Sequence, residues 1–174
     1  MSKFYAGLAM FLFIIGMVLS PFPSDTGKVE AASTKDDSTS DKGKSFEDGK
    51  KAFDVADWQI AIDHFKKAVA EDAKNAEAYN LMGYSYRRLG KADPAFDAYA
   101  VALKLDPKHR GANEYLGQTY LLVGDLEKAE AQLSILKNLC GNQCKETAKL
   151  LKAIKKYKAS TDKQASLNLK EDSW

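Results

Sequence analysis

From about residue 45 onward the apolar positions recur at helical, not strand, spacing. Ile60, Ala61, Phe65, Ala68 and Val69 define one face, and Leu126, Ala129, Leu133, Leu136 and Leu139 define another. Returns at three and four residues place side chains one above another on a helix, which argues for amphipathic helices packed by one stripe each. A further stripe, Leu150, Leu151, Ile154 and Tyr157, with lysines elsewhere, predicts a helix over 144–158. The N-terminus differs. Phe4 to Ser20 is an apolar run of 17 residues without a charge, preceded by Lys3. It is followed by Pro21, Pro23 and a polar stretch that ends Val29-Glu30-Ala31-Ala32.

Beneath the helical period lies a longer one of thirty-four residues. Gly49, Gly83 and Gly117 are each 34 apart, as are Ala61, Ala95 and Ala129. Between the second and third copies Tyr86 matches Tyr120, Gly90 matches Gly124, Ala78 matches Ala112, and Leu105 matches Leu139. A glycine inside a helix costs about 1 kcal/mol relative to alanine, so its recurrence calls for a reason such as close helix approach. Gly90 and Gly124 stand where the chain leaves one helix for the next, a place that favours a left-handed backbone.

This rhythm resembles the tetratricopeptide repeat family, whose pattern sets Trp, Leu-Gly and Tyr along a first helix and Ala, Phe and Pro along and after a second. The copy at 76–109 matches best, with Tyr79 in the Trp place, then Met82-Gly83, Tyr86, Ala95, Tyr99, Ala102 and Pro107. The copy at 110–143 keeps Leu116-Gly117, Tyr120, Ala129 and Leu133 but has Asn113 in the Trp place and Leu136 where a small residue is usual. The copy at 42–75 keeps Gly49, Ala61, Phe65 and Ala68; Ala52 replaces the Tyr and Ala73 the Pro. The resemblance implies an all-α fold: a right-handed α-solenoid of helix-turn-helix repeats over 45–158, with 144–158 as a C-terminal capping helix. It further implies that the first helices line a concave face. The side chains there that packing does not use are Phe46, Lys50 and Phe53, then Asn80, Tyr84, Arg87 and Arg88, then Glu114, Gln118 and Leu121. Aromatic, amide and cationic groups together supply anchors in protein interfaces. Some family members grip a chaperone's C-terminal carboxylate with a Lys/Asn/Arg clamp. The matching places here are Phe46, Lys50, Leu81, Gly111 and Tyr115, and of these only Lys50 could serve.

The order of charge, apolar run and small residues at the N-terminus is that of a secretory signal peptide over 1–31, with cleavage after Ala31 or retention as an uncleaved anchor across a bilayer core of about 30 Å. Either reading places the rest outside the cytoplasm, in the periplasm or on the extracytoplasmic side of the inner membrane. Residues 32–44 lack any large apolar side chain and are expected as a flexible linker; 159–174 are expected as a disordered tail.

Composition removes classes of function more than it adds them. A formal net charge of +2 on 174 residues argues against bulk nucleic acid as a partner. The two cysteines, Cys140 and Cys144, flank the join between the last repeat and the capping helix, and an even pair in an oxidising compartment reads as a disulfide. Haem attachment needs a following His, and here Lys145 follows; a zinc site needs about four ligands, and the only histidines, His64 and His109, are remote in sequence. There is no phosphate loop or nucleophile elbow, so no enzyme, cofactor or metal is expected. Lys145, Lys149, Lys152, Lys155, Lys156 and Lys158 could draw the capping helix to an anionic lipid surface, otherwise forming a solvated face. The reading is therefore an extracytoplasmic adaptor that binds a segment of another exported or envelope protein. Two alternatives stand beside it: a redox-linked envelope protein using Cys140 and Cys144, and a structural protein that self-associates through its first repeat.

Overall fold

A computed structural model of the chain describes residues 43–171, with side chains through 164. The expected signal, nearly all of the linker, and the last three residues lie outside the described residues. Seven helices and no strand make up the described part. They are α1 (Lys44–Asp54), α2 (Trp58–Glu71), α3 (Ala76–Arg88), α4 (Ala92–Leu105), α5 (Arg110–Leu122), α6 (Leu126–Cys140) and α7 (Lys145–Glu171). None of them is long and apolar enough to cross a membrane.

The helix starts follow from short polar side chains that satisfy orphan backbone donors. Asp57 accepts from the Ile60 N–H at 3.4 Å, Asn75 from Ala78 at 2.9 Å and Asp125 from Lys128 at 3.0 Å. His109 does the same for α5, its Nδ1 accepting from the Ala112 N–H at 3.1 Å. The turns within the pairs also repeat: Lys91 N–H donates to the Tyr86 carbonyl at 3.0 Å, and Asp125 N–H to Tyr120 at 2.9 Å. Gly90 and Gly124 take the left-handed conformation there, at φ 73° and 83°. The first copy makes the same turn, Asp57 N–H to Ala52 at 2.9 Å, but places Ala56 at φ 61° where the other copies have glycine.

Each pair is locked where a first helix has no side chain. A Cβ on Gly49 would lie 2.7 Å from the Phe65 ring, and one on Gly83 would lie 2.8 Å from Tyr99. At Gly117 the close neighbour is Leu150 of α7, at 2.5 Å. The capping helix thus enters the niche of the third copy. Leu150 and Ile154 complete a core cluster with Ala129, Leu133 and Leu136. Two earlier clusters centre on Phe65 and Ile62, and on Tyr99 and Leu116.

Two expectations need correcting. Ile60 is 49% exposed, and Ile62 is fully buried in its stead. At about 100° per residue, Ile60 points roughly 125° away from the centre of the face set by Ala61, Phe65, Ala68 and Val69. The second concerns the tail: α7 does not stop at 158 but runs to Glu171. Lys145–Glu171 contains neither Gly nor Pro and is rich in Lys, Ala and Leu, so intrinsic preference carries the helix past the last packed turn.

Candidate functional site

The helix contacts define which side is inner. Among the described residues α1 touches α3, α3 touches α5, and α5 touches α7, whereas α2, α4 and α6 do not touch one another. First helices that adjoin while second helices splay apart create a face bent around α1, α3, α5 and α7. The sequence-derived contact residues lie along these first helices.

The densest part of this face is aromatic. Tyr84 has ring centroids of Phe53, Trp58 and Tyr115 at 4.9, 5.6 and 4.7 Å. Two guanidinium groups lie over the cluster. That of Arg87 is 4.9 Å from the Tyr84 centroid and 6.0 Å from Tyr115. That of Arg88 is 4.5 Å from Trp58, and its Nη1 donates to the Tyr84 hydroxyl at 3.0 Å. Stacking of this kind holds each cation at a fixed height over an apolar ledge. Burial pushes the Tyr115 hydroxyl up to about 12, with Glu114 and Tyr84 adding to the shift. At neutral pH the Tyr115 hydroxyl therefore stays protonated.

The expected residues do not all remain available. Phe53, Tyr84, Arg87 and Arg88 are brought together as described. Lys50 is exposed, 5.9 Å from the Phe46 ring and 3.8 Å from a Glu47 carboxylate oxygen. Phe46 packs on Phe65 at a centroid distance of 6.0 Å and serves the core as well as the surface. Asn80 and Glu114, expected in the open trough, are 2% and 1% exposed. The reason is the next first helix in each case. Asn80 is covered where α5 begins, its Nδ2 3.4 Å from the position of a Cβ on Gly111, and Glu114 lies one repeat on, where α7 packs on α5. Asn80 Nδ2 donates to Glu77 at 3.2 Å, while its buried Oδ1 has no partner among the described residues. Glu114 accepts from Gln118, and burial raises its pKa, with Lys149 and Arg87 nearby pulling the other way. Sequence reasoning missed Trp58, which stands at the start of a second helix and reaches the inner face only through the α1–α2 turn. It also passed over Tyr115 as a contact residue, although Tyr115 adjoins Glu114.

Two hollows flank the ledge. One, of about 400 Å³, is polar and is lined by Glu77, Asn80, His109, Arg110, Tyr115 and Glu146 among others. Within it His109 Nε2–H donates to Glu77 at 2.7 Å, which raises the imidazole pKa. Nδ1 of the same ring caps α5 at Ala112, and the partial burial of the ring opposes the shift. The other hollow, of about 310 Å³, lies between α5 and α7 and contains Gln118 and Leu121. At the α6–α7 join the Cys140 and Cys144 sulfurs are 2.04 Å apart, at disulfide bonding distance. Glu146 lies close enough to form a three-residue group with them, one ligand short of the four that a structural zinc site takes.

Comparison with known proteins bears on the fold and on the repeat. Residues 76–109 match the sequence profile of the tetratricopeptide repeat. Superkiller protein 3 of Schizosaccharomyces pombe is 29% identical over 126 residues, which is 69% of this chain and 9% of that protein. The chain therefore spans about a tenth of this curated relative's length. Among solved structures, the first tetratricopeptide domain of Spaghetti (RPAP3) bound to an HSP90 peptide is similar at a TM-score of 0.60 and 24% identity, covering 68% of this chain and 96% of that one. The type III secretion chaperone SycD of Yersinia enterocolitica, in complex with a peptide of the translocator YopD, is similar at 0.60 and 16% identity, covering 68% and 92%.

Proposed function

Because this chain is a tetratricopeptide-repeat protein, we propose that it is an exported adaptor which holds a segment of another envelope protein against its inner face, in the periplasm or on the extracytoplasmic side of the inner membrane. The observation that carries this reading is the Tyr84 ledge. Four aromatic rings and two stacked guanidinium groups meet on a face that the fold leaves open, and such groups dominate binding energy in protein interfaces. Two similar folds, those of Spaghetti and SycD, are known with peptides bound. The apolar leader and the even pair of cysteines in the sequence support the export half of the reading, since disulfides persist in oxidising compartments. No catalytic constellation enters it: the groups on the ledge bind and orient, and none is placed to move a proton to or from a substrate.

The test compares the mature protein with Tyr84→Ala/Arg87→Glu as baits in envelope extract. Wild type should recover a partner that the variant loses while its circular dichroism stays helical. Equal recovery by both baits would remove the ledge as the binding site. Cell fractionation checks the location: a protein found wholly in the cytoplasm contradicts export.

A further inference from the structure

The hollow between α5 and α7 differs chemically from the ledge. Its walls are Leu121, Leu122, Ala153 and the Tyr157 ring, with Arg87 and Lys156 on the rim. No acidic residue lines it. Leu122 is 51% exposed, as is Val123 beside it, so apolar surface here is left uncovered by the fold. The α7 wall is anchored to the third repeat: Lys158 pairs with Glu130 at 2.6 Å, and the Tyr157 hydroxyl donates to the Gly124 carbonyl at 3.4 Å.

The register of α7 extends the positive rim. Lys149 lies near Glu114 on the inner side. Lys152 follows at i+3, and Ala153 and Lys156 lie on the same face within two turns. Lys149, Lys152 and Lys156 are all exposed. Opposite them stands Arg87, whose buried Nε has no acceptor among the described residues. An apolar slot with a row of lysines along one side and Arg87 on the other is complementary to a segment carrying negative charge around an apolar side chain.

We propose that this α5–α7 slot is the specificity pocket of the adaptor, and that its occupant is an acidic peptide segment that inserts one aromatic or large aliphatic side chain between Leu122 and Ala153. The proposal rests on the adaptor reading and narrows it to a partner chemistry. It uses α7 lysines and not the positions of the chaperone-peptide clamp, which here are occupied by Phe46, Leu81, Gly111 and Tyr115 as well as Lys50. The rim sets charge preference and encounter rate, and the slot sets which side chain anchors.

Fluorescence anisotropy on the full mature protein tests it with three labelled probes: a Glu/Ser peptide with a central Phe, its Lys-for-Glu counterpart, and its Ala-for-Phe counterpart. The acidic Phe peptide should bind, weaken as salt rises, and bind at least tenfold more tightly than either counterpart. Lys152→Glu/Lys156→Glu and, separately, Leu122→Asp should each reduce its affinity about tenfold or more, with helicity unchanged. Failure of the acidic probe to bind, or equal binding of the Lys-containing probe, overturns the proposal. So does attachment to anionic phospholipid vesicles that is lost in Lys152→Glu/Lys156→Glu yet untouched by Leu122→Asp, since that pattern describes a membrane-facing lysine row. Recovery of a partner that depends on Tyr84 and Arg87 but not on Lys152, Lys156 or Leu122 would sink the slot and leave the adaptor intact.

Discussion

Gly83→Ala probes the packing on which the solenoid depends. The added methyl would lie 2.8, 2.9 and 3.0 Å from Cε1, Cδ1 and Cζ of Tyr99. Ordinary carbon contacts fall near 3.5–4.0 Å, so at least half an ångström must be found. Tyr99 is fully buried among Ala95, Ala102, Ala112 and Leu116, and its ring has nowhere to retreat. Forcing a methyl into such a core costs about 1–3 kcal/mol. Replacing a mid-helix glycine by alanine returns about 1 kcal/mol of helix propensity. Three contacts at or under 3.0 Å put the cost at the upper end of that range, so the net expectation is a loss of about 2 kcal/mol, or about 5–10 °C in Tm for a domain of this size. Differential scanning calorimetry measures it. Gly111→Ala is the control, because its methyl meets nothing nearer than 3.4 Å, and it should leave Tm unchanged or raise it. Tyr99→Leu removes two of the three clashing atoms, so the double variant should be less destabilised than the two single changes summed. A Tm for Gly83→Ala equal to or above wild type would refute the close approach of α3 to α4.

Three further outcomes follow from particular residues. Ala56→Gly should stabilise by about 1 kcal/mol, because it relieves the left-handed strain that the first copy alone carries; a loss of stability in thermal melts would contradict this. Cys140→Ser should cost about 2 kcal/mol under oxidising conditions and nothing once wild type is reduced, read as converging melting curves with and without dithiothreitol. Glu114 is a carboxyl whose folded-state pKa is raised, chiefly by burial, so the native state holds its proton to higher pH than the unfolded chain does. Its contribution therefore favours folding below the unfolded value near 4.3 and fades as pH rises through the folded one. Glu114→Gln should flatten that part of the stability–pH curve in urea melts; an unchanged slope would show that Glu114 ionises freely in the folded protein.

How much the chain itself discloses depends on the range of the interaction. The thirty-four-residue period and the turn glycines were legible because each answers to local geometry: a left-handed turn, or a residue too small to obstruct a neighbouring helix. The burial of Asn80 and Glu114 was not, since it depends on where the next repeat's first helix lands, and no single repeat encodes that. Both are polar side chains in first-helix register, and by pattern alone they belong with Tyr84 and Gln118. Trp58 escaped for a related reason. It belongs to a second helix by sequence and to the inner face only by the tightness of the α1–α2 turn. Beyond Lys158 the polar composition resembles a disordered segment, and helix propensity without packing was the quieter signal. The wide apolar stripe of α7 was read correctly as a cap, yet its full engagement, Leu150 seated against Gly117, follows from a niche the third repeat leaves empty.

The central claim is that recognition takes place on the face shared by α1, α3, α5 and α7. Site-specific photocrosslinking in living cells addresses it directly, with a benzophenone amino acid placed in turn at Tyr84, Gln118 and Lys152 on the inner side and at Lys67, Lys104 and Lys137 on the second helices. One discrete partner band should form from the inner positions and not from the outer ones. A band that arises equally from both sets, or from Lys67, Lys104 and Lys137 alone, would contradict it.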